Sequence, residues 1–250
     1  MKFIRKVAGI QSAALVALCA LALSSFAQTK TVHHPAKRRT MSAAGSLLHP
    51  ESLHATAPAV YHVKFHTTKG DFTIEVTRAW APNGADRFYN LVEHHFYDNC
   101  TLFRVVPHFV VQFGIPGDPK IGRIWTNANI KDDPVKQSNI RGYITYAQSS
   151  APNSRSTQVF INYGDNSRLD EMHFAPFGKV TEGMSIVDSF YGGYADQPTG
   201  LQDKITDQGN AFLEKNFPKL DKIITARVVP VSTGAAHPGA THTPPHPASH

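Results

Sequence analysis

Between positions 63 and 76, core-type side chains fall on every second residue. Val63, Phe65 and Thr67 alternate with polar neighbours, as do Phe72, Ile74 and Val76 after Lys69-Gly70. Successive side chains of a strand point to opposite faces, so this spacing marks two strands with one buried face each. Lys69-Gly70 is a suitable turn between them. The segment predicts an antiparallel hairpin and constrains the chain to a β-rich core.

The residues that follow supply more strands and a few helices. Pro82-Asn83 starts a helix with Ala85, Phe88, Leu91 and Val92 on one face. Strands are expected at 102–112, broken at Pro107, and at 143–147, 157–162 and 223–229. A second helix fits 185–191, stopped by Gly192-Gly193. Phe212, Leu213 and Phe217 suggest a short packed helix in the stretch 198–220. The pattern predicts a mainly β domain, barrel or sandwich, with helical lids over 59–230.

Both ends of the chain read differently. Lys2, Arg5 and Lys6 precede an apolar run from Val7 to Leu23, and Ser25-Phe26-Ala27 offers small residues for cleavage. Residues 1–27 therefore read as a secretory signal. The run is weak for a permanent membrane span, and Leu18 is bulky for a lipoprotein signal at Cys19. Export is expected, to the periplasm of a two-membrane bacterium and otherwise to the medium. Residues 28–58 read as a flexible linker and 231–250 as a disordered tail rich in His and Pro.

The formal charge of +6 belongs to the ends. Residues 1–39 carry seven basic side chains and no acidic one. Removing those seven from the twenty-five basic residues leaves eighteen against nineteen acidic ones. A near-neutral folded part gives no reason to expect a nucleic-acid partner. Loss of Cys19 with the signal leaves Cys100 alone, so no intrachain disulfide is expected.

No phosphate-binding glycine loop and no zinc-type cysteine pair is present. His62 and His66 share a strand face but stand about 13 Å apart by rise, and the adjacent His94-His95 do not share a helical face. The tail histidines (His237, His242, His246, His250) offer only weak metal capture. Neither a metal nor a cofactor is expected.

Three stretches carry the chemistry. The first is Leu102-Phe103-Arg104-Val105-Val106-Pro107-His108-Phe109-Val110-Val111-Gln112-Phe113-Gly114. A cation among so many apolar residues is either paired internally or presented to a ligand. The second runs from Ala147-Gln148 through Gln158-Val159-Phe160-Ile161, and the third from Leu169 through His173 to Val180. Together, in order and at suitable separations, they resemble the cyclophilin family from about Tyr61 to Val229.

The resemblance implies a closed eight-stranded antiparallel β-barrel capped by two α-helices, with a groove on its outer face. It implies peptidyl-prolyl cis–trans isomerase activity on proline-containing polypeptides; separately from the resemblance, a monomer is expected. Arg104 matches the catalytic arginine, and Gln112 the glutamine that binds the substrate backbone and steadies it. Phe109, Phe160 and Leu169 match the proline pocket, with Val110 where methionine is common. Gln158 matches a groove residue, His173 the pocket-edge histidine, and Ala147 and Gln148 the strand that pairs with the peptide.

Some positions depart from the family pattern. Phe113 replaces a glycine near the groove, and Leu102-Phe103 replaces a phenylalanine–histidine pair. Arg168 stands where ciclosporin-sensitive members carry tryptophan. A proline-peptide-binding chaperone module with little turnover is the alternative reading.

Overall fold

The computed structural model describes residues 46–230. The expected signal segment, most of the expected linker and the His/Pro-rich tail lie outside the described residues.

The alternation at 63–76 builds the first hairpin. β1 (Val60–Thr67) and β2 (Gly70–Thr77) pair antiparallel over their whole length. Val63, Phe65, Phe72, Ile74 and Val76 are buried. Phe65 faces Phe72 across the ladder, and their rings stack at 4.7 Å.

α1 (Pro82–Glu93) follows, with Ala85, Phe88, Leu91 and Val92 buried as the spacing predicts. Its first turn has no side-chain cap of its own. Asp133 caps it from a distant loop, accepting from the amides of Asn83 and Gly84 at 2.9 Å each. The buried Arg155 donates to the same carboxylate at 3.1 Å. This satisfies amides that a helix start leaves without partners.

Six further strands complete one sheet. They are β3 (Arg104–Val106), β4 (Val110–Phe113), β5 (Tyr143–Tyr146), β6 (Val159–Asn162), β7 (Pro176–Glu182) and β8 (Ile223–Val229). The order is β3-β4-β6-β5-β7-β2-β1-β8, antiparallel throughout. Eight antiparallel strands agree with expectation; closure does not. The sheet is an open half-barrel with β3 and β8 as its two edges.

The reason lies at the free edge of β3. Val105 forms its outward bridge with Ala195, from the segment after the second expected helix, and not with β8. The two ends of the sheet meet ahead of β3, where the isolated bridge Thr101↔Lys222 is flanked by the Leu102 amide to the Asp221 carbonyl, 2.9 Å, and the Ile223 amide of β8 to the Cys100 carbonyl, 2.8 Å.

The helix count also exceeds the two expected caps. Among the described residues, α2 (Pro119–Trp125), α3 (Met184–Asp188), α4 (Gln202–Gln208) and α5 (Asn210–Asn216) join α1. α4 and α5 fill the stretch 198–220. Ile205 and Leu213 from them, with Phe217 and Leu220 after them, form a second apolar cluster around Phe103 and Ile115. Phe103 therefore departs from the family pattern by anchoring this added layer.

The expected linker is packed from residue 46 onward. Leu47, Leu53 and Ala57 are buried in the main core. Trp125 Nε1 donates to the Leu47 carbonyl at 2.8 Å, and Asn90 exchanges two hydrogen bonds with Ala55. Phe113 also lies elsewhere than expected. It alternates with Gln112, so it points into the core, edge-on to Phe65 and Tyr97.

Candidate active site

The site is assembled on the β3–β4–β6 edge of the sheet. Arg104 opens β3 directly opposite Gln112 on β4. Side chains at positions two apart on a strand share a face, so Val110 and Gln112 turn outward together while Val111 and Phe113 face the core. Phe160 on β6 pairs with Gln112 and joins that outer face.

A continuous polar relay runs across these elements. Arg104 Nη1 donates to Gln112 Oε1 at 3.1 Å. Gln112 Nε2 donates to Gln158 Oε1 at 2.8 Å, and Gln158 Nε2 to Gln202 Oε1 at 2.9 Å. Each amide donates in one direction and accepts from the other, so the orientations are mutually fixed. The Arg104 side chain is 22% exposed. Its Nε donates to Asp196 at 2.5 Å.

Beside the relay lies an apolar depression. Val110, Phe160 and Leu169 form a buried cluster with Phe109, Ala147 and Phe174 packed on it. Phe160 and Phe174 meet edge to face at 5.7 Å. Leu169 reaches the cluster from a short 3₁₀ turn, Ser167–Leu169. The cavity is ≈ 230 Å³ and is bounded by Arg104, Gln112, Gln148 and this cluster. That is smaller than the roughly 300–1,000 Å³ of a drug-sized site and suits one small ring. Guanidinium carbons stand over the Phe109 ring, that of Arg104 at 5.4 Å and that of Arg168 at 4.9 Å.

A second hollow of ≈ 410 Å³ adjoins the first and shares Gln112, Ala147, Gln148 and Gln202 with it. Gln158 lines only this larger hollow, and its side chain bonds Gln112 and Gln202, which line both. Gln148 Nε2 donates to the Met172 carbonyl at 2.9 Å, and its Oε1 is buried without a partner among the described residues.

Nine of the ten expected site residues thus come together around two joined hollows. His173 is the exception. It is exposed, adopts φ 65°, and lines neither hollow. Phe174, on the same turn, lines the apolar cavity in its place. Asp196, Thr199 and Gln202 were not singled out from the sequence. They come from the segment after α3, and no local pattern marks a contact to a strand 92 residues away.

Cys100 is no rival centre. It is fully buried, its Sγ lies 3.5 Å from the Ile115 carbonyl, and burial holds its thiol well above the usual range, with Asp98 adding to the rise. A protonated, enclosed thiol is unreactive. Among the described residues, no group of three His, Cys, Asp or Glu side chains could hold a metal ion.

The outer face of the antiparallel sheet thus joins a ring-sized apolar pocket to an arginine held by Gln112 and Asp196. Comparisons with known proteins give the family. The sequence pattern described as "Cyclophilin type peptidyl-prolyl cis-trans isomerase/CLD" matches residues 62–210. A peptidyl-prolyl cis-trans isomerase of Acinetobacter baylyi is 31% identical over 188 residues, covering 73% of this chain and 92% of that protein. Peptidyl-prolyl cis-trans isomerase A of Dickeya dadantii is 34% identical over 133 residues, covering 51% and 69%. A cyclophilin-type isomerase of Cryptosporidium parvum shares the fold, with a TM-score of 0.52 at 17% identity over 69% of this chain and 99% of that one. The chain belongs to the cyclophilin-type peptidyl-prolyl cis–trans isomerase family.

Proposed function

We propose that this chain accelerates rotation about X-Pro bonds by hydrogen bonding from Arg104 to the twisted amide nitrogen. Amide resonance sets a barrier of roughly 18–20 kcal/mol. Uncatalysed X-Pro exchange therefore takes about tens to hundreds of seconds. No nucleophile is required; the resonance must be weakened.

The observation that carries this reading is the fork of Arg104 beside a ring-sized apolar cavity. Asp196 and Gln112 engage Nε and Nη1. Among the described residues Nη2 has no hydrogen-bond partner, and it is the group left to donate. The proline nitrogen becomes a good acceptor only when twisted out of resonance. A hydrogen bond to it strengthens in the transition state, which is the condition for catalysis. Phe109, Val110, Phe160 and Leu169 would capture the ring at about 0.8 kcal/mol per buried CH₂. Gln112 would also meet the peptide backbone, with Ala147 and Gln148 along the strand that receives it.

A relative from Cryptosporidium parvum has been crystallised in the presence of the dipeptide Ala-Pro. The same class of ligand suits the cavity here: an extended polypeptide with an exposed proline. The N-terminal segment supports clients among exported proteins. The direct test is exchange spectroscopy on a proline peptide. Catalytic amounts of the protein should speed cis–trans exchange many-fold. Saturable binding with exchange at the uncatalysed rate would instead identify a binding module.

A further inference from the structure

The segment joining α3 to α4 holds the catalytic arginine from the side opposite the expected relay. Arg104 Nε donates to Asp196 Oδ1 at 2.5 Å, while Nη1 donates to Gln112 at 3.1 Å. One contact alone lets a guanidinium pivot about its stem. Two contacts on different nitrogens, from partners 84 residues apart in sequence, fix its plane and aim Nη2.

The segment is held to the strand it serves. Val105 and Ala195 form a β-bridge, so the residue after Arg104 pairs with the residue before Asp196. Ala195 adopts φ 45°, a left-handed conformation that a non-glycine residue adopts only where its surroundings impose it. The next turn is a 3₁₀ helix, Gln197–Leu201, entered by the Thr199 amide bonding to the Asp196 carbonyl at 2.9 Å. Ile205, Leu213 and Phe217 pack this layer on Phe103, one residue before Arg104.

The same turn faces the apolar cavity. Thr199 and Gln202 line it with Arg104, Phe109 and Gln148. Among the described residues Thr199 Oγ1 is buried with no hydrogen-bond partner, and Gln148 Oε1 is in the same state. Buried polar atoms are nearly always paired, and an unmet one is costly. An extended peptide supplies what is lacking: an N–H for Gln148 Oε1 and a carbonyl or N–H for the Thr199 hydroxyl.

We propose that the turn 196–202 is a working wall of the isomerase site. Asp196 is a positioning residue that sets the Arg104 guanidinium, and the Thr199 hydroxyl bonds the backbone of the bound peptide. The proposal rests on the arginine reading above. Its carboxylate acts through geometry more than charge, because Asp196 is 58% exposed and its field is screened by solvent.

The test measures kcat and KM of the full chain with one proline peptide, for wild type and the variants Arg104→Ala, Asp196→Ala, Asp196→Asn and Thr199→Val. Thermal denaturation of each accompanies the assay. Asp196→Ala should lower kcat about tenfold with little change in KM. Asp196→Asn, whose amide oxygen still accepts from Nε, should restore most of that loss. Thr199→Val keeps the shape of the side chain and should raise KM several-fold. If Arg104→Ala is impaired while Asp196→Ala matches wild type, the positioning role is overturned and the arginine reading stands. Asparagine no better than alanine also overturns it, and an unchanged KM in Thr199→Val overturns the peptide-binding wall. Full activity of Arg104→Ala overturns both readings together.

Discussion

The guanidinium of Arg168 lies over the face of the Phe109 ring, 4.9 Å from its centre. Arg168 is exposed, and its Nη1 donates to Asn166 Oδ1 at 3.3 Å. Ciclosporin-sensitive relatives resemble one another in having tryptophan here, a flat apolar surface and an indole donor. A hydrated cation in that place offers neither. Wild type should resist ciclosporin, and Arg168→Trp should tighten inhibition by at least about tenfold, or roughly 1.4 kcal/mol. An inhibition series with the two proteins decides this; equal sensitivity would contradict it.

The buried carboxylate of Asp133 carries a structural load. It accepts from two α1 amides and from Arg155, whose side chain is 2% exposed. Removing one partner of such a pair leaves a charge without compensation in a site closed to water. Asp133→Ala should cost about 3–5 kcal/mol of unfolding free energy. Chemical denaturation measures it; a loss under about 1 kcal/mol would class the pair with surface bridges.

Acid should loosen the packed N-terminal segment. Burial works to raise the carboxyl pKa of Asp86. Its bonds from Arg78 (2.7 Å and 2.8 Å) and from the Ala57 amide (2.9 Å) outweigh that and hold it below the usual value of 3.8. A folded pKa below the unfolded one gives stability that is present above the unfolded value and lost as pH falls through the folded one. Amide exchange at Ala57 should therefore accelerate as pH drops below about 4 relative to its intrinsic rate. Asp86→Asn should remove most of that pH dependence, and a wild-type profile that follows the intrinsic rate would refute the link.

Much of this architecture is legible in the sequence because it is local. The hairpin at 60–77 shows through period-two burial, and α1 through Ala85, Phe88, Leu91 and Val92 on one face. Less was legible where local signals are silent. β7 hides because Gly178 has no side chain to show a period; a Cβ there would stand 2.5 Å from the Glu75 carbonyl of the neighbouring strand. α2 does carry a local signal: Asp118 caps the Lys120 amide at 2.8 Å and Pro119 opens the helix. Leu47, Leu53 and Ala57 fill gaps in a core formed elsewhere, so they follow no period.

The site divides along the same line. The resemblance marked ten site residues within the three motif stretches, and all but His173 converge on the joined hollows. Asp196, Thr199 and Gln202 reach the site through tertiary packing of an added layer. The same layer explains the missed opening of the sheet, since Ala195 occupies the edge of β3 that closure would need.

The central claim is that Arg104 catalyses rotation by donating to the twisted nitrogen. The decisive measurement is kcat/KM of Arg104→Ala against wild type on one proline peptide, with circular dichroism and thermal denaturation to confirm that both are folded. The account predicts a loss of about a hundredfold or more, close to 2.7 kcal/mol of transition-state stabilisation, with peptide binding changed far less. A folded Arg104→Ala protein that turns over peptide within about threefold of wild type would contradict it.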